Sequence, residues 1–210
     1  MERTGRQHHA SIEGRAGPPF TKTLGVSMTA HSTQVALEFC KLCDLAYQAW
    51  LNHREMFDDN PRAAELQSSI GAEALSRLQT ICHEYTLLQI AKLHDPVVVA
   101  GHVTLGIEYM VKYGAWSGTA LVEVTQLAEK LNSFAKGLRT VRNQALSHND
   151  LAAVLSSQTL GEFKKDEDIQ YFATLQEFAN VVHSEAIGGP YPFDDLVRND
   201  VAAFMAMVKS

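Results

Sequence analysis

Apolar side chains recur at intervals of three and four residues through most of the sequence, in runs separated by turn-forming residues. This spacing places the apolar side chains on one face of an α-helix. No convincing alternation of apolar and polar residues, the mark of a half-buried strand, accompanies it. Several amphipathic helices bury their apolar faces by packing on one another, so the sequence predicts an all-α, up-and-down helical bundle with little or no sheet.

The runs predict six helices. Ser32 is a candidate N-cap for the first helix, and His94-Asp95-Pro96 stops the second. Ser117-Gly118-Thr119 is expected to cap the fourth helix, which follows an apolar, β-branched stretch and a short third helix near residues 105–110. The last two helices are predicted at about 167–186 and 194–208, with Gly188-Gly189-Pro190 between them.

The first part of the chain differs in character from the rest. Residues 1–27 are rich in Gly, Pro, Arg and His, lack periodicity, and include Ile12-Glu13-Gly14-Arg15, which is identical to a processing-protease site used in expression. We expect them to be a disordered extension or a tag. Residues 28–210 are predicted to form a single helical domain.

Charge and hydropathy restrict the class of protein. A formal net charge of −6 argues against a protein that coats nucleic acid with its whole surface, although a local basic patch remains compatible with it. No apolar run reaches the roughly 20 residues of a membrane span, and the start lacks the pattern of a signal peptide. A cytoplasmic protein without a membrane segment is expected.

The three cysteines do not suggest a metal or redox site. Cys40 and Cys43 form a C-x-x-C pair inside an apolar-periodic helix, and Cys82 lies beside His83. Packed core thiols are the expected interpretation, with zinc or redox chemistry as the alternative. The other histidines, His94 among them, are scattered and are interpreted as surface or core residues. We therefore expect no metal and no cofactor.

The end of the fourth predicted helix carries the one chemically suggestive motif, at residues 142–150. Arg142 flanks the apolar stripe of this helix, and His148 lies at its edge. On an uninterrupted helix the two side chains would be about 120° apart around the axis. To meet one phosphate, either the helix must end near Ser147, where Asn149 and Asp150 also favour a break, or a second protomer must complete the site.

The charge around this motif is positive. Between Glu129 and Asp150 the charged residues are Lys130, Lys136, Arg139 and Arg142. Cations near a helix C-terminus are also favoured by the macrodipole, which explains much of this run without a function.

The string Arg142-Asn143-x-x-x-x-His148 resembles the signature of HEPN proteins. The continuation His148-Asn149-Asp150, together with residues 90–96 closing the second helix, is similar to the AbiU branch of that superfamily, associated with abortive infection of phage-infected bacteria. The resemblance implies a four- or five-helix bundle, a homodimer whose two motifs face one cleft and, in active members, metal-independent cleavage of RNA. A toxin of this kind could be controlled by an antitoxin.

The residue types suit that chemistry. His148 would move protons at the 2′-hydroxyl and the 5′ leaving oxygen, and Arg142 would hold the scissile phosphate. Asn143 would orient the phosphate or His148, or else cap the helix. Arg139 would retain RNA or remain a solvated cation. Asp95 either ends the second helix or fixes an Arg or His of the motif, and Asn149 and Asp150 complete the candidate RNA-binding and supporting residues.

A second interpretation comes from a different class of function. A catalytically silent helical module could bind a partner or a nucleotide through the same cleft, because one fold supports several functions.

Overall fold

The computed structural model describes residues 28–62, 71–141 and 166–207. Within these ranges the chain forms six α-helices and a single two-stranded sheet, so the predicted all-α fold with little sheet is confirmed. The elements are α1 (Met28–His53), α2 (Ala72–Leu93), β1 (Val98–Val99), β2 (His102–Val103), α3 (Ile107–Tyr113), α4 (Gly118–Val141), α5 (Glu167–Ala186) and α6 (Val197–Met207). The predicted extension, residues 1–27, lies outside the described residues.

The first helix begins earlier than its sequence signals predict. It starts at Met28, so Ser32 lies inside the helix rather than at its N-cap. The residues just before Ser32 include neither Gly nor Pro, and nothing in them opposes helix formation strongly enough to set a boundary. At its other end α1 continues into a π-helical turn, Arg54–Asp58, before a turn at Pro61-Arg62.

Four long helices form the bundle. α1 packs against α2 and α5, and α4 packs against α5 and α2. The Thr33 hydroxyl at the start of α1 donates to the Ala186 carbonyl at the end of α5 (3.3 Å), so these helices run antiparallel. At the same end the Ser117 N–H, just before α4, donates to Glu185 on α5 (2.9 Å). α5 therefore runs antiparallel to both α1 and α4, as in an up-and-down bundle.

The core is rich in aromatic side chains. Phe39 of α1 meets Phe178 of α5 edge to face at 5.6 Å, and Trp50 stacks on Phe172 at 4.6 Å. Such pairs add specific geometry to the burial of apolar area. A smaller cluster of Met56, Val201 and Met205 packs α6 against the π-helical turn.

The connection between α2 and α3 contains the sheet. Val98 pairs with Val103 and Val99 with His102 in an antiparallel hairpin. Ala100 and Gly101 form its turn with φ of 50° and 83°, the positive values that tight hairpin turns need. The β-branched residues of this stretch thus pair as short strands before α3 begins.

Among the described helices, none combines the length and the apolar character that crossing a membrane would demand.

Candidate functional site

The predicted motif lies directly after the described part of α4 in the sequence. α4 is described as far as Val141, the residue before Arg142 in the sequence. Arg139 lies in the last described turn of α4, but the description does not include its side chain. The other predicted motif residues lie outside the described residues: Arg142, Asn143, His148, Asn149 and Asp150.

The outer face of α4 carries its cations into solvent. Lys130 and Lys136 are both exposed, whereas Leu131 and Ala135 between them are fully buried. The predicted positive character of this helix end is present in the described part of α4.

Asp95 lies directly after α2. Its backbone N–H donates to the Lys92 carbonyl (3.2 Å), and the preceding N–H of His94 donates to the Ala91 carbonyl (3.1 Å). These bonds satisfy carbonyls that the end of an α-helix leaves without partners. The Asp95 backbone therefore forms part of the turn that ends α2, and the first predicted role of Asp95, ending this helix, stays a prediction. The second role, fixing Arg142 or His148, involves residues outside the described ranges.

His94, interpreted from the sequence as a surface or core residue, lies in the core and has partners that the sequence did not indicate. It is only 4% exposed, and its ring bridges two other helices. Nδ1 lies 3.0 Å from Asn132 Oδ1 on α4, and Nε2 lies 3.0 Å from the Tyr171 hydroxyl on α5. The three side chains, called here the His94 network, join the end of α2, the second half of α4 and the start of α5.

The bonding partners define the form of His94. An amide oxygen can only accept, so Nδ1 carries the proton and donates to Asn132 Oδ1. Nε2 pairs with the Tyr171 hydroxyl. Tyr171 is fully buried, and burial raises the pKa of its phenol well above the ordinary value, which keeps the hydroxyl protonated as a donor. The His94 network is thus a chain of hydrogen bonds that connects α2, α4 and α5.

The first turn of α5 is also attached to α1. The Trp50 indole N–H donates to Asp168 Oδ2 at 2.8 Å, and Arg54 Nη1 lies 3.7 Å from the same oxygen. Arg54 pairs in addition with Asp59 through its Nε. A carboxylate in the first turn of a helix is favoured by the macrodipole, and here it also receives an indole and a guanidinium.

The cysteine pair belongs to the core. Cys40 and Cys43 are both fully buried on α1, and the Cys40 thiol donates to the Ala179 carbonyl at 3.7 Å. Burial raises the pKa of Cys40 to about 12 and that of Cys43 well above its ordinary value. Both therefore remain thiols at neutral pH. Only the thiolate is strongly reactive or metal-binding. The predicted role as packed core thiols is confirmed.

The comparisons with known proteins agree with the resemblance found in the motif. A family model described as AbiU2, within the HEPN group, matches residues 34–206, a range that starts within α1 and includes α2, α4, α5 and the motif at 142–150. No curated protein and no solved structure matches the chain significantly. The family model covers well over half of the sequence. The chain therefore belongs to the HEPN_AbiU2 family.

Proposed function

We propose that the chain is a metal-independent endoribonuclease that acts in the cytoplasm as a toxin of abortive infection. The observation that carries the proposal is the family match, whose range spans the Arg142-Asn143-x-x-x-x-His148 string. The exposed Lys130 and Lys136 support it, because they place positive charge on the helix that precedes the motif in the sequence. RNA is the substrate, and a second copy of the chain and an antitoxin are the partners in this proposal.

The reaction uses the RNA's own 2′-hydroxyl. His148 removes the 2′ proton, the 2′-oxygen attacks the adjacent phosphorus, and the bond from phosphorus to the 5′-oxygen breaks. The leaving oxygen takes a proton from the His148 imidazolium, and the products are a 2′,3′-cyclic phosphate and a 5′-hydroxyl. Arg142 holds the phosphate through its planar fork of donors and stabilises the charge that develops on the phosphorane.

The remaining predicted residues have supporting roles. Asn143 orients the phosphate or His148 by hydrogen bonds, and Arg139 retains RNA by charge. Asp95 fixes an Arg or His of the motif through its carboxylate. Asn149 and Asp150 hold the backbone where the helix must end for His148 to turn toward the phosphate.

Substitution of the two principal residues tests the chemistry. His148→Ala should lower the cleavage rate about 10² to 10⁴-fold, the usual contribution of general acid or base catalysis. Arg142→Ala should lower it about 10² to 10³-fold, as expected for loss of a charge-stabilising donor. Arg142→Lys should recover little, because an ammonium keeps the charge but loses the fork. The measurement is cleavage of labelled RNA in the presence of EDTA, with the termini identified by mass spectrometry.

Substitutions of one histidine and one arginine outside the motif serve as controls. His102→Ala removes an exposed histidine from the β-hairpin, and Arg77→Ala removes an exposed arginine from α2. Both should cleave RNA like the wild type. Cleavage that needs added magnesium, or a His148→Ala variant as active as the wild type, would contradict the mechanism. Expression of wild type and His148→Ala in growing bacteria, with equal growth and equal RNA integrity, would favour the silent binding module.

A further inference from the structure

We infer that His94 is a positioning residue for the proposed site: the His94 network sets how α4 and α5 lie relative to each other where the two helices flank the motif-bearing segment in the sequence. The inference rests on the proposed function. It names residues that lie outside the motif and touch no substrate in the proposed mechanism. Its basis is the burial and the two hydrogen bonds of the His94 ring.

The network lies on the two helices that flank that segment in the sequence. Asn132 lies about 14 Å before the end of α4 at Val141, at 1.5 Å per residue. Tyr171 is in the second turn of α5, which starts at Glu167. The segment 142–165 joins these two helices in the sequence. A shift of α4 along α5 at the level of His94 would therefore move one end of the segment relative to the other.

Neighbouring contacts reinforce this level of the bundle. Phe134 of α4 packs edge to face on the Tyr171 ring with centroids 6.4 Å apart. The Trp50 to Asp168 hydrogen bond holds the first turn of α5 to α1 at 2.8 Å. The start of α5 is thus attached to α1 on one side and, through Tyr171, to α2 and α4 on the other.

A polar group at this buried position needs a reason. A leucine could fill much of the volume of His94 without the cost of removing an imidazole from water. Apolar contacts tolerate sliding, whereas two hydrogen bonds at 3.0 Å to different helices are satisfied in a narrow range of positions. The network therefore fixes the relative positions of the helices more than it adds buried apolar area. A site whose residues come from separate segments requires such fixed positions.

Two mild substitutions remove the bonds while keeping the packing. Tyr171→Phe deletes only the hydroxyl, and Asn132→Ala removes the acceptor from an exposed position on α4. We expect kcat for RNA cleavage to fall about 10-fold or more in each, because small misplacements of reacting groups are costly. KM should change less than about 2-fold, since neither residue touches RNA in the proposed mechanism. Ser133→Ala, the exposed neighbour of Asn132, is the matched control and should keep the wild-type kcat.

A conservative substitution separates positioning from general stability. Asn132→Asp retains an oxygen acceptor for the His94 N–H, so it should keep most of the wild-type kcat. Wild-type kcat in both Tyr171→Phe and Asn132→Ala would overturn the inference. So would an Asn132→Asp variant as impaired as Asn132→Ala.

Hydrogen exchange tests the inference without relying on catalysis. Backbone amides of residues 133–141 and 166–175 should exchange faster in Tyr171→Phe and Asn132→Ala than in the wild type, while those of α1 near Phe39 exchange equally. If the wild type does not cleave RNA, the proposed function fails and this readout alone decides the positioning role. Unchanged exchange in both regions would overturn it.

Discussion

Asp44 on α1 shows how a single half-buried carboxylate links the bundle to the loop before α6. Its two oxygens accept from the Asp194 backbone N–H and from Gln48 Nε2, both at 2.9 Å. Burial raises the pKa of Asp44 above its ordinary value, and these hydrogen bonds lower it only in part. The folded state therefore binds the Asp44 proton more tightly than the unfolded chain does. Ionising this group as pH rises through its folded-state pKa costs stability.

Replacing the carboxylate by an amide should remove that cost. Asp44→Asn keeps an oxygen for the Asp194 N–H, so the Tm of the variant relative to the wild type should increase from pH 4 to pH 7. Because Asp44 is partly solvated, the gain should stay below about 1 kcal/mol, or roughly 2–4 °C. Thermal unfolding followed by circular dichroism at the two pH values measures it, with exposed Asp195→Asn as the charge-matched control. A Tm difference that does not change with pH would contradict this account.

At the scale of elements, the approach of α3 to the end of α2 depends on Gly106. A Cβ at this position would lie 2.7 Å from the Leu93 carbonyl oxygen and 3.5 Å from that of Asp95. Both atoms are backbone and belong to the turn that ends α2, so they cannot move aside as a flexible side chain could. The absence of a side chain at Gly106 is therefore a packing requirement.

Gly106→Ala should destabilise the protein by about 1–3 kcal/mol, the usual cost of inserting a methyl group into a tightly packed place. The control is Gly118→Ala at the start of α4, where a Cβ meets nothing within 4 Å. That variant should melt at the wild-type temperature or slightly above, because alanine favours helix over glycine. Equal melting temperatures for Gly106→Ala and the wild type would mean that the turn can yield.

Elements with strong local signals were predictable and the others were not. The stop at His94-Asp95-Pro96 predicted the end of α2, and the predicted range 167–186 matches α5. The start of α1 was misplaced because Ser32, a capping residue type, is also tolerated within a helix. The β-hairpin was missed because its two-residue strands are too short for a recognisable alternation.

The candidate site likewise has a local motif that the sequence predicted and long-range contacts that it did not. The Arg142 and His148 motif is local, so a short string was enough to suggest a family that the comparison then showed. The His94 network depends on residues 38 and 77 positions away in the sequence. Such partners are brought together only by the packing of α2, α4 and α5, and a lone histidine in an apolar run does not reveal them.

At the scale of the whole molecule, one part of the apolar stripe of α4 packs in the bundle, and the stripe continues beyond that part in the sequence. Leu127 and Leu131 are buried in the bundle core, and Phe134 packs against it. The stripe continues in the sequence through Leu138 and Val141, immediately before the motif. Because it runs toward Arg142 and His148, the proposed function includes a two-fold dimer that buries this neighbourhood and places two motifs at one cleft.

Light scattering at micromolar concentration should therefore give twice the mass of one chain. Co-expression of Arg142→Ala with His148→Ala tests whether the second copy completes the site. Each variant alone should be inactive. On co-expression, half of all the dimers pair unlike chains, and each of these regains one intact site if Arg142 and His148 act across the interface. Activity should then recover to about a quarter of the wild-type value. A strict monomer would contradict the dimer, and a dimer without recovery would mean that each chain supplies both residues of its own site.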